Sequence, residues 1–361
     1  MDIIEKLEKN ERLNYEDGVA LYGLDLFTLG HFANLQRTKR WGKKVYFNIN
    51  RHINPTNICK DICKFCAFSA NRKNPNAYKY TKEEVLNIAK DAYARGIKEV
   101  HIVSAHNKEH DLDWYMGIFR EIREKFPSLH IKAFTAAEVH FMSELHDLSY
   151  DEVLDRMIEA GVESMPGGGA EIFDEKVRAY ICKGKVSSQN WLKIHELWHK
   201  RGKFSNATML FGHIEEREDR IDHMLRLREV QDKRQGFNAF IPLVYQRDNN
   251  YLKVDKFLGS TEILKTIAIS RLMLDNIPHI KAYWASATLN LAMVAQEFGA
   301  DDLDGTIEKE AIQSAGGAKS AQGQALQDFL DIIITSGFTP VERDSLYNEL
   351  QVYEEANSGA C

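Results

Sequence analysis

The 361-residue chain lacks any apolar run of about 18 residues, so no hydrophobic membrane-spanning helix is expected. Its first residues, Met1-Asp2-Ile3-Ile4-Glu5-Lys6, are charged early and lack the apolar stretch of a secretory signal. Basic residues are not in excess: 47 Lys and Arg face 53 Asp and Glu, for a formal net charge of -6. That balance argues against a general polyanion binder, whose surface is usually basic, but leaves room for a small anionic substrate. Seven prolines and 22 glycines exclude a low-complexity or collagen-like chain. Also missing is the even, dispersed cysteine set of an exported disulfide scaffold. There are 5 cysteines, and Cys59, Cys63 and Cys66 crowd together. The expectation is a cytoplasmic enzyme with a small-molecule substrate and neither nucleic acid nor membrane as partner.

After residue 44, β-rich runs alternate with amphipathic helical runs. The strand candidates are 45–49 (running on into 51–57), 99–104, 130–135, 163–165, 205–211, 237–241, 279–284 and a weak eighth near 301–306. Thr81-x-x-Glu84 and Ser149-x-x-Glu152 have capping-box form just ahead of apolar periodic runs. Gly96, Gly161 and Gly202 each stand where a helix should end. Eight strand–helix units predict an α/β protein with a (β/α)8 TIM-type barrel, and a doubly wound open sheet is the alternative. In either fold the loops after the strands carry the chemistry. Residues 1–44 read as a helical segment packed on the barrel, 45–322 as the barrel, and 323–361 as a C-terminal helical segment.

Cys59-Lys-Asp-Ile-Cys63-Lys-Phe-Cys66 follows the first strand, where one short loop can aim three thiolates at one place. Thiolates are the usual ligands of iron–sulfur clusters, and a cubane normally takes four. Three leave one iron open to a substrate or cofactor. Zinc is the alternative, with Cys182 or a histidine as fourth ligand, although zinc sites usually come as two separated pairs. Cys182 otherwise reads as a structural thiol, and Cys361 as a mobile tail thiol.

This spacing, with Phe65 just before the third cysteine, resembles the signature of the radical SAM superfamily. The resemblance implies a radical SAM barrel with a 4Fe–4S cluster on Cys59, Cys63 and Cys66. It further implies S-adenosylmethionine bound through its amino and carboxylate groups, and reductive cleavage to a 5′-deoxyadenosyl radical. Residues 50–57, 134–138, 166–171, 207–213 and 240–243 are similar to the group containing the menaquinone (futalosine pathway) and deazaflavin radical enzymes. Residues 271–276, 280–284 and 301–306 look most like its aminofutalosine synthase family. That likeness implies a transferase of menaquinone biosynthesis. In it the adenosyl radical adds to the enol ether of 3-[(1-carboxyvinyl)oxy]benzoate, an aromatic dicarboxylate. A reducing donor such as flavodoxin or ferredoxin is implied as partner. The sibling cyclic dehypoxanthinyl futalosine cyclase, the deazaflavin synthase subunit, and a non-catalytic iron–sulfur or zinc protein remain alternatives.

Within this frame Phe65 is expected near the adenine. Gly168, in the triplet Gly167–Gly169, allows close backbone approach, and Glu171 just beyond can accept from a ribose. Arg178 is expected to clamp the methionine carboxylate. Where the group usually shows Gly-Gly after the second strand, this chain has Ser104-Ala105, so Ser104 is expected to help hold the methionine moiety. Thr135 and Glu138 follow the third strand and can bind either co-substrate, although Glu138 also suits a helix N-terminus. Arg51 and His213 are the leading partners for the substrate carboxylates, with His52 and Lys281 behind them. Alternation sends Arg51 and His52 to opposite faces. Tyr283 and Trp284 can stack on a benzoate ring or simply pack. Asp301, Asp302 and Asp304 read as a capped, solvated loop.

Overall fold

The structure is a computed structural model that describes residues 2–255 and 258–353. Cys361 lies outside the described residues. No helix among them is long and apolar enough to cross a membrane.

Three helices, Ile3–Glu8, Tyr15–Leu21 and Leu26–Trp41, precede the first strand. The barrel then begins on one extended run broken at Ile49 into β1 (Lys44–Asn48) and β2 (Asn50–Ile53). β2 leads a parallel sheet of β3 (Glu99–Ile102), β4 (His130–Ala133), β5 (Ser164–Met165), β6 (Phe204–Phe211), β7 (Phe237–Val244) and β8 (His279–Ile280), paired in chain order. Helices cover these strands, and both expected capping boxes are made. Glu84 N–H donates to Thr81 Oγ1 at 3.2 Å and Thr81 N–H to Glu84 Oε2 at 2.7 Å. Ser149 and Glu152 do the same at 3.2 and 2.8 Å, and Val153, Leu154 and Met157 then bury one helical face.

The weak eighth unit is real, and it closes the ring. β9 (Asp302–Gly305) pairs in parallel with β1 and meets the end of β8 through a Lys281–Asp302 bridge. The seven-stranded sheet is thus joined into a barrel through a second, smaller sheet rather than by one unbroken ladder. A Cβ on Gly305 would stand 2.1 Å from Asn50 Oδ1, so only glycine lets β9 approach the break between β1 and β2 so closely.

Two expectations are corrected here. The C-terminal segment is not simply helical. Leu326–Thr335 is a helix, but β10 (Thr339–Arg343) and β11 (Glu349–Val352) follow, and β10 pairs in parallel with β1. Nor are Asp301 and Asp302 solvated. Both are fully buried, Asp301 against Arg271 and His279, and Asp302 at 2.6 Å from Arg343 Nε. Arg343 lies over the Tyr347 ring, which stacks on His279 at 3.6 Å. Buried carboxylates need such partners, and here the pairing ties the C-terminal hairpin to the closing strand.

Candidate active site

The loop after β2 is braced before any ligand is considered. Asn54 Nδ2 donates to the Val103 carbonyl at 2.9 Å and Thr56 Oγ1 to that of Tyr78 at 2.7 Å. Asn57 holds residues 76–78 with both ends of its amide, at 2.9 and 2.8 Å. Backbone bonds run from Cys59 to Ala70 (3.2 Å), from Lys60 to His106 (2.9 Å) and from Lys64 to Ile181 (2.8 Å). On this frame Cys59, Cys63 and Cys66 line one cavity of about 310 Å³ at the C-terminal mouth of the barrel, and all three are free thiols. His106 N–H points at Cys59 Sγ at 3.4 Å, which favours a thiolate there. Burial pushes the Cys59 and Cys63 thiols up, so metal ligation would release protons.

The donor set fits a cluster better than a single ion. Cys182 is buried outside the cavity wall. Among the described residues no three Cys, His, Asp or Glu side chains converge on a point that could hold one metal ion.

Phe65, Ser104, Thr135, Gly168 and Glu171 line the same cavity, as does Glu138. Glu138 ties two strand ends together. Its carboxylate accepts from Ser104 N–H at 2.9 Å and from Thr135 N–H and Oγ1 at 2.8 and 2.9 Å, making a capping box for the helix Ala136–His146. Complete burial pushes its pKa up to about 7 against those three donors. Glu171 has φ 48°, a left-handed backbone, and its Oε1 accepts from Lys185 Nζ at 2.6 Å.

Three expected site residues do not reach the cavity. Arg178 is buried, and its guanidinium is spent on the carbonyls of Gly169, Ala170, Ile172 and Val186. It is a brace for the loop that carries Glu171, and Lys185 is the cation that faces the cavity there. Arg51 turns outward to Glu308 at 3.3 Å, while the next residue, His52, lines the cavity. His213 folds back on its own turn. Its Nε2 contacts the Leu210 carbonyl at 3.1 Å, and its Nδ1 lies 2.7 Å from Ile214 N–H.

Sequence reasoning missed His101 and Lys132, which line the cavity with His52, Lys281, Tyr283, Asp304 and Glu310. A signal was available. In Glu99-Val-His-Ile and His130-Ile-Lys-Ala, polar residues take every second place. Barrel strands are covered on both faces, so such a polar set marks an inward, ligand-facing side.

A three-cysteine loop on the first strand of such a barrel defines a radical SAM enzyme, and residues 53–227 match the Radical SAM superfamily. Residues 234–356 match the CofH/MqnC C-terminal region. Aminodeoxyfutalosine synthase of Thermus thermophilus is 42% identical over 361 residues, covering 99% of this chain and 97% of that one. Cyclic dehypoxanthine futalosine synthase of Streptomyces coelicolor is 32% identical, covering 98% of this chain and 89% of that one. The crystal structure of methylornithine synthase (PylB) superposes with a TM-score of 0.75 at 16% identity, covering 94% of this chain and 97% of that one. The chain belongs to the aminodeoxyfutalosine synthase family of radical SAM enzymes.

Proposed function

We propose that this chain joins the 5′-deoxyadenosyl group of S-adenosylmethionine to the enol-ether double bond of 3-[(1-carboxyvinyl)oxy]benzoate. Rearrangement and loss of carbon dioxide then give aminodeoxyfutalosine, with methionine released. The observation that carries this reading is one continuous cavity joining the three thiols at its mouth to a charged floor of Lys132 and Lys281. Membership of the family supplies the particular substrate.

When bound, a 4Fe–4S cluster on Cys59, Cys63 and Cys66 supplies the electron that cleaves S-adenosylmethionine to its radical. The chain's own residues bind, orient and exclude water. Phe65 lies against the adenine. Ser104, Thr135 and Gly168 border the nucleoside and methionine moieties, and Glu171 with Lys185 supplies a paired acceptor and cation. Glu138 holds Ser104 and Thr135 in place and is a positioning residue. Lys132, Lys281 and Tyr283 border the polar floor on which the aromatic dicarboxylate sits. The electron comes from a reducing protein such as flavodoxin or ferredoxin, and the setting is cytoplasmic.

The test offers the reduced protein and S-adenosylmethionine three substrates in parallel: the enolpyruvyl benzoate, dehypoxanthinyl futalosine, and tyrosine with 5-amino-6-(D-ribitylamino)uracil. Consumption with the benzoate alone, yielding an adenosyl adduct by mass spectrometry, supports the reading. Free 5′-deoxyadenosine formed with either of the others overturns it.

A further inference from the structure

The cavity floor is a layer of polar side chains. His52, His101 and Lys132 stand in register on β2, β3 and β4, and Lys281, just past β8, and Asp304 on β9 face them. Each lysine of the cavity wall already has a carboxylate. Lys132 Nζ lies 2.9 Å from Glu99, Lys281 Nζ 3.0 Å from Asp304, and Lys185 Nζ 2.6 Å from Glu171. Glu310 is taken up by the N–H groups of Ile312, Gln313 and Ser314 at 2.9, 2.8 and 2.8 Å, and His106 pairs with Asp61 at 2.8 Å.

The imidazoles of His52 and His101 differ. They meet edge to face, centroids 4.6 Å apart, and His52 Nε2 is buried without a hydrogen-bond partner among the described residues. An arriving dianion therefore meets lysines that are already compensated, in a site where an unmatched charge is costly. These two rings are the remaining groups of the floor that can gain positive charge.

We propose that His52 and His101 form the carboxylate-receiving subsite of the cavity, and that substrate binding is coupled to uptake of one proton by this pair. The inference rests on the substrate reading above. The proton comes from solvent, bonds to a ring nitrogen, and returns to solvent when the anion leaves. No bond of the substrate changes in this step.

The charged groups facing the pair are Glu99 on β3, Lys132 on β4, Lys281 just past β8, Asp304 on β9 and Glu310 beyond it. Burial holds both rings below the ordinary histidine range, the three carboxylates pull upward, and the two lysines push down. A substrate carboxylate adds the opposite charge that tips this balance.

The test is calorimetric titration of 3-[(1-carboxyvinyl)oxy]benzoate into the cluster-loaded, unreduced enzyme with S-adenosylmethionine bound. Two buffers of different ionisation enthalpy count the protons. The expected result is uptake of about one proton per substrate near neutral pH, with Kd rising by up to about tenfold per pH unit above it. His52→Gln and His101→Gln should abolish the uptake and weaken binding by more than about tenfold, with the cluster's absorbance unchanged. The wild-type proton count decides the matter even where a variant fails to fold. Wild-type enzyme that forms the adduct but binds the benzoate with no proton exchange and a pH-independent Kd overturns the proposal and leaves the substrate reading intact. Wild-type enzyme that neither binds nor converts the benzoate overturns both.

Discussion

At the scale of single residues, the site separates side chains that face the cavity from those that hold its walls. Cys63→Ala removes one of the three ligands proposed for the cluster, so the variant should lose the brown absorbance, most of its iron and all cleavage of S-adenosylmethionine. Iron analysis and product assay check this, and full activity without iron would contradict it. Arg178 belongs to the other class. Arg178→Met strands several buried carbonyls, so it should cost about 3 kcal/mol of stability. Affinity of the folded protein for S-adenosylmethionine should change far less than for a residue that touches it, and denaturation with ligand titration separates the two effects. Glu138 gives a pH dependence with a definite sign. Its pKa is raised to about 7 in the fold, so its contribution is present below the unfolded value and is lost as pH rises through 7. Wild type should lose roughly 1–1.5 kcal/mol between about pH 6 and 8 from this group. Glu138→Ala should lack that slope in denaturant unfolding.

At the scale of elements, strand ends and helix starts set the site. Gly167 follows β5, and a Cβ there would stand 2.7 Å from the Asn206 carbonyl on β6. Gly167→Ala should push the glycine turn away from β6. It should cost about 1–3 kcal/mol and weaken S-adenosylmethionine binding, read by thermal melting and ligand titration. The elements were also what the sequence showed best. Capping boxes at Thr81 and Ser149 are local and depend on four consecutive residues, so they could be read directly. The parity of Arg51 and His52 could be posed but not decided, because alternation fixes opposite faces without saying which is inward. For Arg178 and His213 the deciding partners are backbone groups, which leave no mark in side-chain spacing. Pro340 lies inside β10, whose partner Val45 is almost 300 residues away. A proline in a strand paired that far off gives no local periodicity to read.

At the scale of the whole molecule, the barrel could be counted from eight alternating units, but its closure could not. Closure rests on Gly305 against Asn50 and on Asp302 against Arg343, contacts between distant segments. Arg343→Met should leave Asp302 buried and unpaired, costing about 3–5 kcal/mol and lowering the melting temperature by several degrees. The three thiols were legible because one loop carries them all. The charged floor was not, because five separate strands or strand ends each give it a single residue. The thiols and the floor share one cavity, so the nucleoside and the aromatic acid should end in one product. The most direct measurement uses S-adenosylmethionine labelled with carbon-13 in its ribose, the enolpyruvyl benzoate, and anaerobically reconstituted, reduced enzyme. The label should appear in a benzoate adduct, with one methionine and one carbon dioxide formed per adduct. Label recovered as free 5′-deoxyadenosine, with the benzoate unchanged, would contradict the proposed function.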